Sequence, residues 1–197
     1  MVVYFYKKCQ PINDYSKRVI GIFELLEDTI ILPKINNKYS KIRINKCKLI
    51  RVEDLYGNYL NLDKIESVCF SLFDLKVIFE KDKISSINNF DETDILLGNG
   101  ILGFFEKIRA QLYLLDKVEN GLCIYWGDDG NKYSETFYEN NMKNGKEIFY
   151  YKNGNNKNYT EFQNNIKINM EYSYDINGKM INCINHNTYF EYNGKYT

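Results

Sequence analysis

The chain has 197 residues, and its 26 Lys+Arg are balanced by 26 Asp+Glu, so the formal net charge is zero. That balance excludes a dedicated non-specific nucleic-acid binder, which needs an excess of cations to displace counterions, and equally an acidic mimic of nucleic acid. With 44% hydrophobic and 16% aromatic residues, the chain can bury a core and does not belong with disordered proteins.

The counts of single residue types carry a bias. There is one alanine (Ala110), one histidine (His186) and two prolines, against 26 asparagines and 18 tyrosines, and 22 lysines stand against 4 arginines. An AT-rich genome produces this pattern, and it accounts for most of the asparagine excess. The five cysteines (Cys9, Cys47, Cys69, Cys123, Cys183) are far apart, odd in number and never spaced as CxxC. A zinc site or dense disulfide framework is therefore not expected, and a reduced, cytoplasmic protein is. The first residues, Met1 to Lys8, lack the basic start and apolar run of a signal peptide. No apolar run approaches the roughly 20 residues that span a bilayer.

In chain order, Val19–Leu26 and Thr29–Leu32 read as two arms of a hairpin. A helix from Asp14 would also match Val19, Ile22, Phe23 and Leu26, but Gly21 and the run Ile30-Ile31-Leu32 favour strands. Tyr39–Ile44 alternates, with Ile42 and Ile44 on one face and Lys41 and Arg43 on the other. Leu49–Val52, Tyr59–Leu62, Ser67–Phe73, Lys76–Glu80 and Ile84–Ile87 follow as short strands. Ile101, Phe104, Phe105, Ile108, Leu112 and Leu115 then recur at three and four, which predicts an amphipathic helix of roughly 17 residues. Several strands closed by one helix predict a small barrel or curved sheet capped by that helix. The element order resembles a pleckstrin-homology-type layout, a likeness that implies nothing about function.

The texture changes near residue 120. Residues 119–197 hold 11 of the 18 tyrosines and no arginine. Asn120-Gly121-Leu-Cys-Ile124-Tyr-Trp126 aligns with Asn144-Gly145-Lys-Glu-Ile148-Phe-Tyr150 at an offset of 24, and Gly130, Gly154 and Gly178 keep the same spacing. A third unit carries Asn169, Tyr172, Tyr174, Asn177 and Gly178, and a fourth start appears at Asn193-Gly194. Asn-Gly and Asp-Gly between aromatic strand formers signal hairpins, because both turn residues need positive φ. Each unit reads as strand, tight turn, strand and a second Asn-rich turn. Stacked hairpins bury together what one cannot bury alone. Trp126, Tyr150 and Tyr174 share one position and are expected to form a ladder. The fold class is mainly β or α+β: a domain over 1–118, then about three β-hairpin repeats over 119–197.

The pattern NGxxIxYxxxG at period 24 resembles the MORN-variant repeats of bacteria, over residues 120–197. Asn169 stands where the pattern has glycine, and Ser173-Tyr174-Asp175 replaces an aromatic pair. The resemblance implies an antitoxin- or immunity-like protein that neutralises a toxin by steric occlusion. Eukaryotic MORN repeats, linked to membranes and scaffolds, use a denser Gly/Trp pattern that is absent here.

Little in the sequence points to catalysis. His186 lies in Asn185-His186-Asn187 and reads as a turn residue, not a general base. Asp128-Asp129-Gly130 lacks the flanking ligands of a calcium loop and reads as a hairpin turn. Gly98-Asn99-Gly100-Ile101-Leu102-Gly103 matches G-x-G-x-x-G, but hairpins follow instead of βα units, so it reads as a loop feeding the helix. No enzyme, catalytic residue, metal or cofactor is expected; carboxylate-only acid–base chemistry is the remaining enzymatic alternative. Residues 29–52 hold seven cations and no acid. Lys41, Arg43, Lys46 and Lys48 are therefore candidate contacts for an acidic partner, or in the alternative for a membrane surface or scaffold. The solvated face of an edge strand would look the same, with later acids (Glu53, Asp54, Asp63, Glu66) neutralising it. In the repeats, Tyr133, Tyr138, Tyr151 and Lys157 vary between units and are the better contact candidates. The expected partner is another, toxin-like protein, not a specific nucleic acid.

Overall fold

A computed structural model of the chain describes residues 2–11, 17–34, 37–60, 70–71, 77–93, 98–113, 115 and 118–187. The chain divides into two units: Met1–Tyr113 with Asp128–Gly130, and Leu114–Gly127 with Asn131–Thr197. The architecture is mainly β, with two antiparallel sheets and one short helix.

The first unit is built on non-local pairing. Strand β1 (Tyr4–Gln10) pairs with β2 (Val19–Glu24), and β2 pairs with β5 (Lys46–Glu53). On its other side β1 meets β9 (Ile101–Phe104), which runs beside β4 (Lys41–Ile44), itself paired with β3 (Ile31–Leu32). Short strands β6 (Tyr59–Leu60) and β8 (Ile84–Ser86) add to β5, and β7 (Phe70–Ser71) to β1. One face buries Phe5, Phe23, Ile42, Leu49, Val52 and Phe79, with the Phe23 ring edge-on to Phe79 at 4.8 Å. A second cluster holds Ile20, Phe104 and Ala110, the chain's one alanine. Ala110 lies on α1 (Lys107–Leu112), which packs on β1 and β9.

Several expectations change here. The proposed 19–32 hairpin does not form, because β2 spends its two edges on β1 and β5 while β3 pairs with β4. The long helix is corrected to six residues. Its first turn is strand β9, hydrogen-bonded on both sides, and a Cβ on Gly103 would collide with the Phe5 ring and the Tyr6 carbonyl. Three-and-four spacing over so short a run fits helix and two-sided strand alike, and tertiary pairing decides. Within 76–80 no strand forms among the described residues, only a bridge at Ile78. Parts of the 67–73 and 59–62 strands, Asp63, Glu66, Cys69 and the Asn193-Gly194 start lie outside the described residues.

The second unit is a six-stranded meander: β10 (Gly121–Trp126), β11 (Lys132–Glu139), β12 (Met142–Tyr150), β13 (Asn156–Gln163), β14 (Ile166–Tyr174) and β15 (Met180–Asn185). Its turns recur at the sequence period. Asn140-Asn141 and Asn164-Asn165 take φ of 51°, 62°, 50° and 68°, as a two-residue turn with both residues left-handed requires. The other turns place Gly130, Gly154 and Gly178 at φ of 80° to 87°. The Asn144-Gly145 pair is not a turn, however. Gly145 sits inside β12 at a bulge, with φ of 110°, and Asn169 takes the equivalent place in β14 with φ of 56°. Asparagine tolerates the left-handed region that glycine favours, so the exchange at 169 preserves the backbone path. The Asn141 amide donates to Glu119 O and the Asn165 amide to Lys143 O, both at 2.9 Å, so the asparagine turns stitch successive repeats.

Across this sheet Cys123, Thr136, Glu147 and Thr160 form one buried row in register. Trp126, Tyr150 and Tyr174 each sit at a bulge on alternate strands, with Lys132, Asn156 and Met180 as their strand partners. Alternate strands are about 9–10 Å apart, so the three are related by the repeat but spaced by an intervening strand. Among the described residues no helix is long and apolar enough to cross a membrane.

Candidate functional site

Lys132 and Glu135 of the first repeat and Tyr150 of the second form an internally paired polar cluster, beside a cavity of about 210 Å³ that Lys132 and Tyr150 line. The Lys132 ammonium lies 5.2 Å from the centre of the Tyr150 ring and 2.7 Å from Glu135 Oε2. The Tyr150 hydroxyl donates to Glu135 Oε1 at 2.7 Å. Burial pushes the Tyr150 phenol up, and the Glu135 carboxylate beside it acts in the same sense. Burial also opposes ionisation of Glu135, but Lys132 and Tyr150 outweigh it and hold the carboxyl below its ordinary range.

One period on, the chemistry opens. Tyr159, Glu161, Asn169, Met170, Tyr172 and Tyr174 line an open groove of about 340 Å³. Register makes this inevitable: Tyr159 faces Tyr172, and Glu161 faces Ile168, across β13 and β14. The Tyr159 and Tyr172 rings are 6.0 Å apart, and Tyr172 stacks on Tyr174 at 6.5 Å with 28° between planes. The Tyr159 hydroxyl donates to Glu161, and Asn169 Nδ2 donates to Glu161 Oε2 at 2.7 Å. These two donors, Tyr159 first, hold the Glu161 carboxyl below its ordinary range, so it is ionised at neutral pH. Burial and the adjacent Glu161 raise the Tyr159 phenol to about 12. The Tyr151 hydroxyl donates to Tyr174 O at 2.9 Å and ties down one end of the groove. A row of aromatic faces beside a carboxylate can stack planar or cationic groups and accept their hydrogen bonds.

The residues singled out from sequence fare unequally. Arg43 is fully buried, not a contact residue: its guanidinium donates to Asn99 O (2.8 Å), Thr93 O (2.6 Å) and Asp91 O, and lies 4.8 Å from the Phe90 ring. Lys41 is likewise buried, beside Asp128 at 3.7 Å and over the Tyr113 ring at 5.1 Å. The alternation Lys41/Arg43 implied a wet face, but both faces of β4 are covered. Tyr138 is 8% exposed, on the buried side with Thr136 and Phe162. These three are corrected from surface contacts to packing residues. Lys46 pairs with Asp28, Lys48 with Glu24 at 2.7 Å, Lys38 with Glu106 at 2.9 Å and Arg51 with Glu53 at 3.0 Å. The cationic stretch is thus largely neutralised, by Asp28, Glu24 and Glu106 from outside it and by Glu53 at the end of β5 itself.

Tyr133 is 58% exposed, with its ring edge-on to Phe149 at 5.9 Å. The Lys157 ammonium lies 5.8 Å from the Tyr151 ring, so these two candidates do meet. Sequence alone does not single out Tyr159, Glu161 or Tyr172 as contacts, and it places Tyr174 in the repeat ladder. The available signal was the repeat alignment, in which Lys132 gives way to Asn156 and Glu135 to Tyr159.

The other motifs are structural. A Cβ on Gly100 would strike the Arg43 stem and one on Gly103 the Phe5 ring, and strand β9 follows, so the glycines serve close packing. His186 Nε2 lies 2.8 Å from Glu171 Oε2, which also accepts from Lys167 Nζ at 2.8 Å. Cys9, Cys47 and Cys123 are buried cysteines, Cys183 is an exposed one, and burial pushes the Cys47 thiol up. Among the described residues no three His, Cys, Asp or Glu gather as a metal site. Comparison of the chain with protein-family models, with curated proteins and with solved structures finds no match.

Proposed function

We propose that the chain is a non-catalytic protein-binding module with an antitoxin- or immunity-like role in the cytoplasm, neutralising a cognate toxin by steric occlusion. The observation that carries this reading is the open groove of Tyr159, Tyr172 and Tyr174 on a sheet whose turns and bulges repeat at fixed register. Tyrosine gives large contact area with few rotors, and a hydrogen-bonded meander presents it pre-organised. The resemblance of the period-24 pattern to bacterial MORN-variant repeats supports the finer assignment. The alternative, a membrane-surface or scaffold role for residues 34–51, has less to draw on, since Lys38, Lys46, Lys48 and Arg51 are ion-paired.

The test is co-expression with each gene neighbouring its own. One product is expected to be toxic alone, to be neutralised by the chain and to co-purify with it. A folded Tyr172→Ala/Tyr174→Ala variant is expected to lose both effects. Absence of any toxic or co-purifying neighbour overturns the antitoxin reading.

A further inference from the structure

We propose that the groove of the second repeat receives an arginine or lysine side chain from the protein partner. This deepens, and rests on, the protein-binding reading above. The ground for it is a comparison the molecule makes within itself. Lys132 of the first repeat places its ammonium between the ring of Tyr150 in the second, at 5.2 Å, and its own repeat's Glu135 carboxylate, at 2.7 Å. Twenty-four residues later the positions of Lys132 and Tyr150 are held by Asn156 and Tyr174. The ring is kept and the lysine is gone. The acid is displaced rather than lost: Tyr159 occupies the place of Glu135, and Glu161 supplies the carboxylate two residues on.

The groove thus has the aromatic faces and the anion of a cation site, without a counterpart of Lys132. Cations already near must be counted. Lys146 faces Glu161 across β12 and β13, and its ammonium lies 5.8 Å from the Tyr159 ring, at the outer limit of such contacts. It lowers the Glu161 carboxyl as the last and weakest of the causes. Among the described residues no ammonium or guanidinium comes within 4.0 Å of Glu161, and in this sheet cations lie over the rings of Tyr150, Tyr151, Tyr159 and Phe162 but not of Tyr172 or Tyr174. Tyr172 and Tyr174 stack with each other and turn toward a groove of about 340 Å³, ample for a guanidinium and its stem. A guanidinium there would lie on the tyrosine faces and donate to Glu161.

The test uses the full chain and peptides selected on it from a random display library. Selected binders are expected to share an arginine or lysine, and replacing it by neutral citrulline or by norleucine should weaken binding about tenfold or more, as a desolvated cation–π and carboxylate contact predicts. Asn156→Lys restores the first-repeat arrangement at an exposed position and should block the groove, abolishing binding while the thermal melt is unchanged. Glu161→Gln should weaken it about tenfold. Binders without a basic residue, or binding indifferent to both N156K and E161Q yet lost in Y172A/Y174A, overturn the cation inference and leave the protein-binding reading standing. Failure to select any binder, or binders indifferent to Y172A/Y174A, overturns both.

Discussion

The two units handle their charges in opposite ways. In the first, cations are consumed internally: Arg43 is buried among three backbone carbonyls, and Lys46, Lys48 and Arg51 are matched to Asp28, Glu24 and Glu53. In the second, Lys132 is matched to Glu135 and Tyr150, while one period on the Tyr159, Tyr172 and Tyr174 rings and the Glu161 carboxylate face an open groove with no counterpart of that lysine. A cluster of cations in sequence is therefore a poor guide to a docking surface when distant acids answer it. A polar arrangement missing one member in one of two related repeats is a better guide.

The largest expected effect sharpens the first half of this contrast. Arg43→Ala removes a fully buried side chain whose guanidinium donates to three backbone carbonyls and leaves a cavity beside Phe90, and should destabilise the first unit by about 3 kcal/mol or more. Amide exchange in β4 and β9 should accelerate while β12–β14 keep their protection; equal loss in both sheets would break the contrast. Next in size is Asn141→Val, which forces a β-branched residue to φ of 62° and should cost roughly 1–2 kcal/mol in thermal unfolding. Asn141→Gly at the same place should be close to neutral.

The acid limb of stability comes after these. Burial disfavours the charged form of Glu171, but Lys167 and His186 outweigh it, and its carboxyl lies below the ordinary 4.5. A depressed carboxyl stabilises the fold above its unfolded pKa, and that stabilisation is lost as pH falls below about 4.5 through the folded value. Glu171→Gln should flatten the stability-versus-pH curve of the repeat sheet in that window and leave it unchanged near neutrality apart from a constant offset. The smallest effect belongs to Lys46→Ala/Lys48→Ala. Their solvent-screened pairs with Asp28 and Glu24 should contribute little, so the thermal melt should barely move, and partner binding should not change. Loss of binding in that variant would return the contact surface to the first unit.

What was legible from sequence follows contact distance along the chain. The repeat strands pair with their neighbours through two- to five-residue turns, so the period of 24, the left-handed Asn and Gly positions and the meander are local facts. Asn144-Gly145 misled only in kind, since a bulge and a turn both ask for positive φ. The first unit depends on β1 meeting β9 nearly a hundred residues away, which spacing alone does not reveal. The same pairing turned Ile101–Phe104 from helix to strand, while Asp91, Thr93 and Asn99 around Arg43, and Tyr113 and Asp128 around Lys41, cover the face expected in solvent. The groove was half legible. The exchange of Lys132 for Asn156 is plain in the alignment, but its meaning needs Tyr159, Glu161, Tyr172 and Tyr174 brought together across two strands.

The most direct measurement is a chemical-shift map of the isotopically labelled full chain titrated with an arginine-containing peptide selected on it. The account predicts saturable shifts confined to Tyr159, Glu161, Asn169, Tyr172 and Tyr174, absent in Asn156→Lys. Shifts centred on Lys46, Lys48 and their neighbours in β4 and β5, with the tyrosine groove silent, would contradict it.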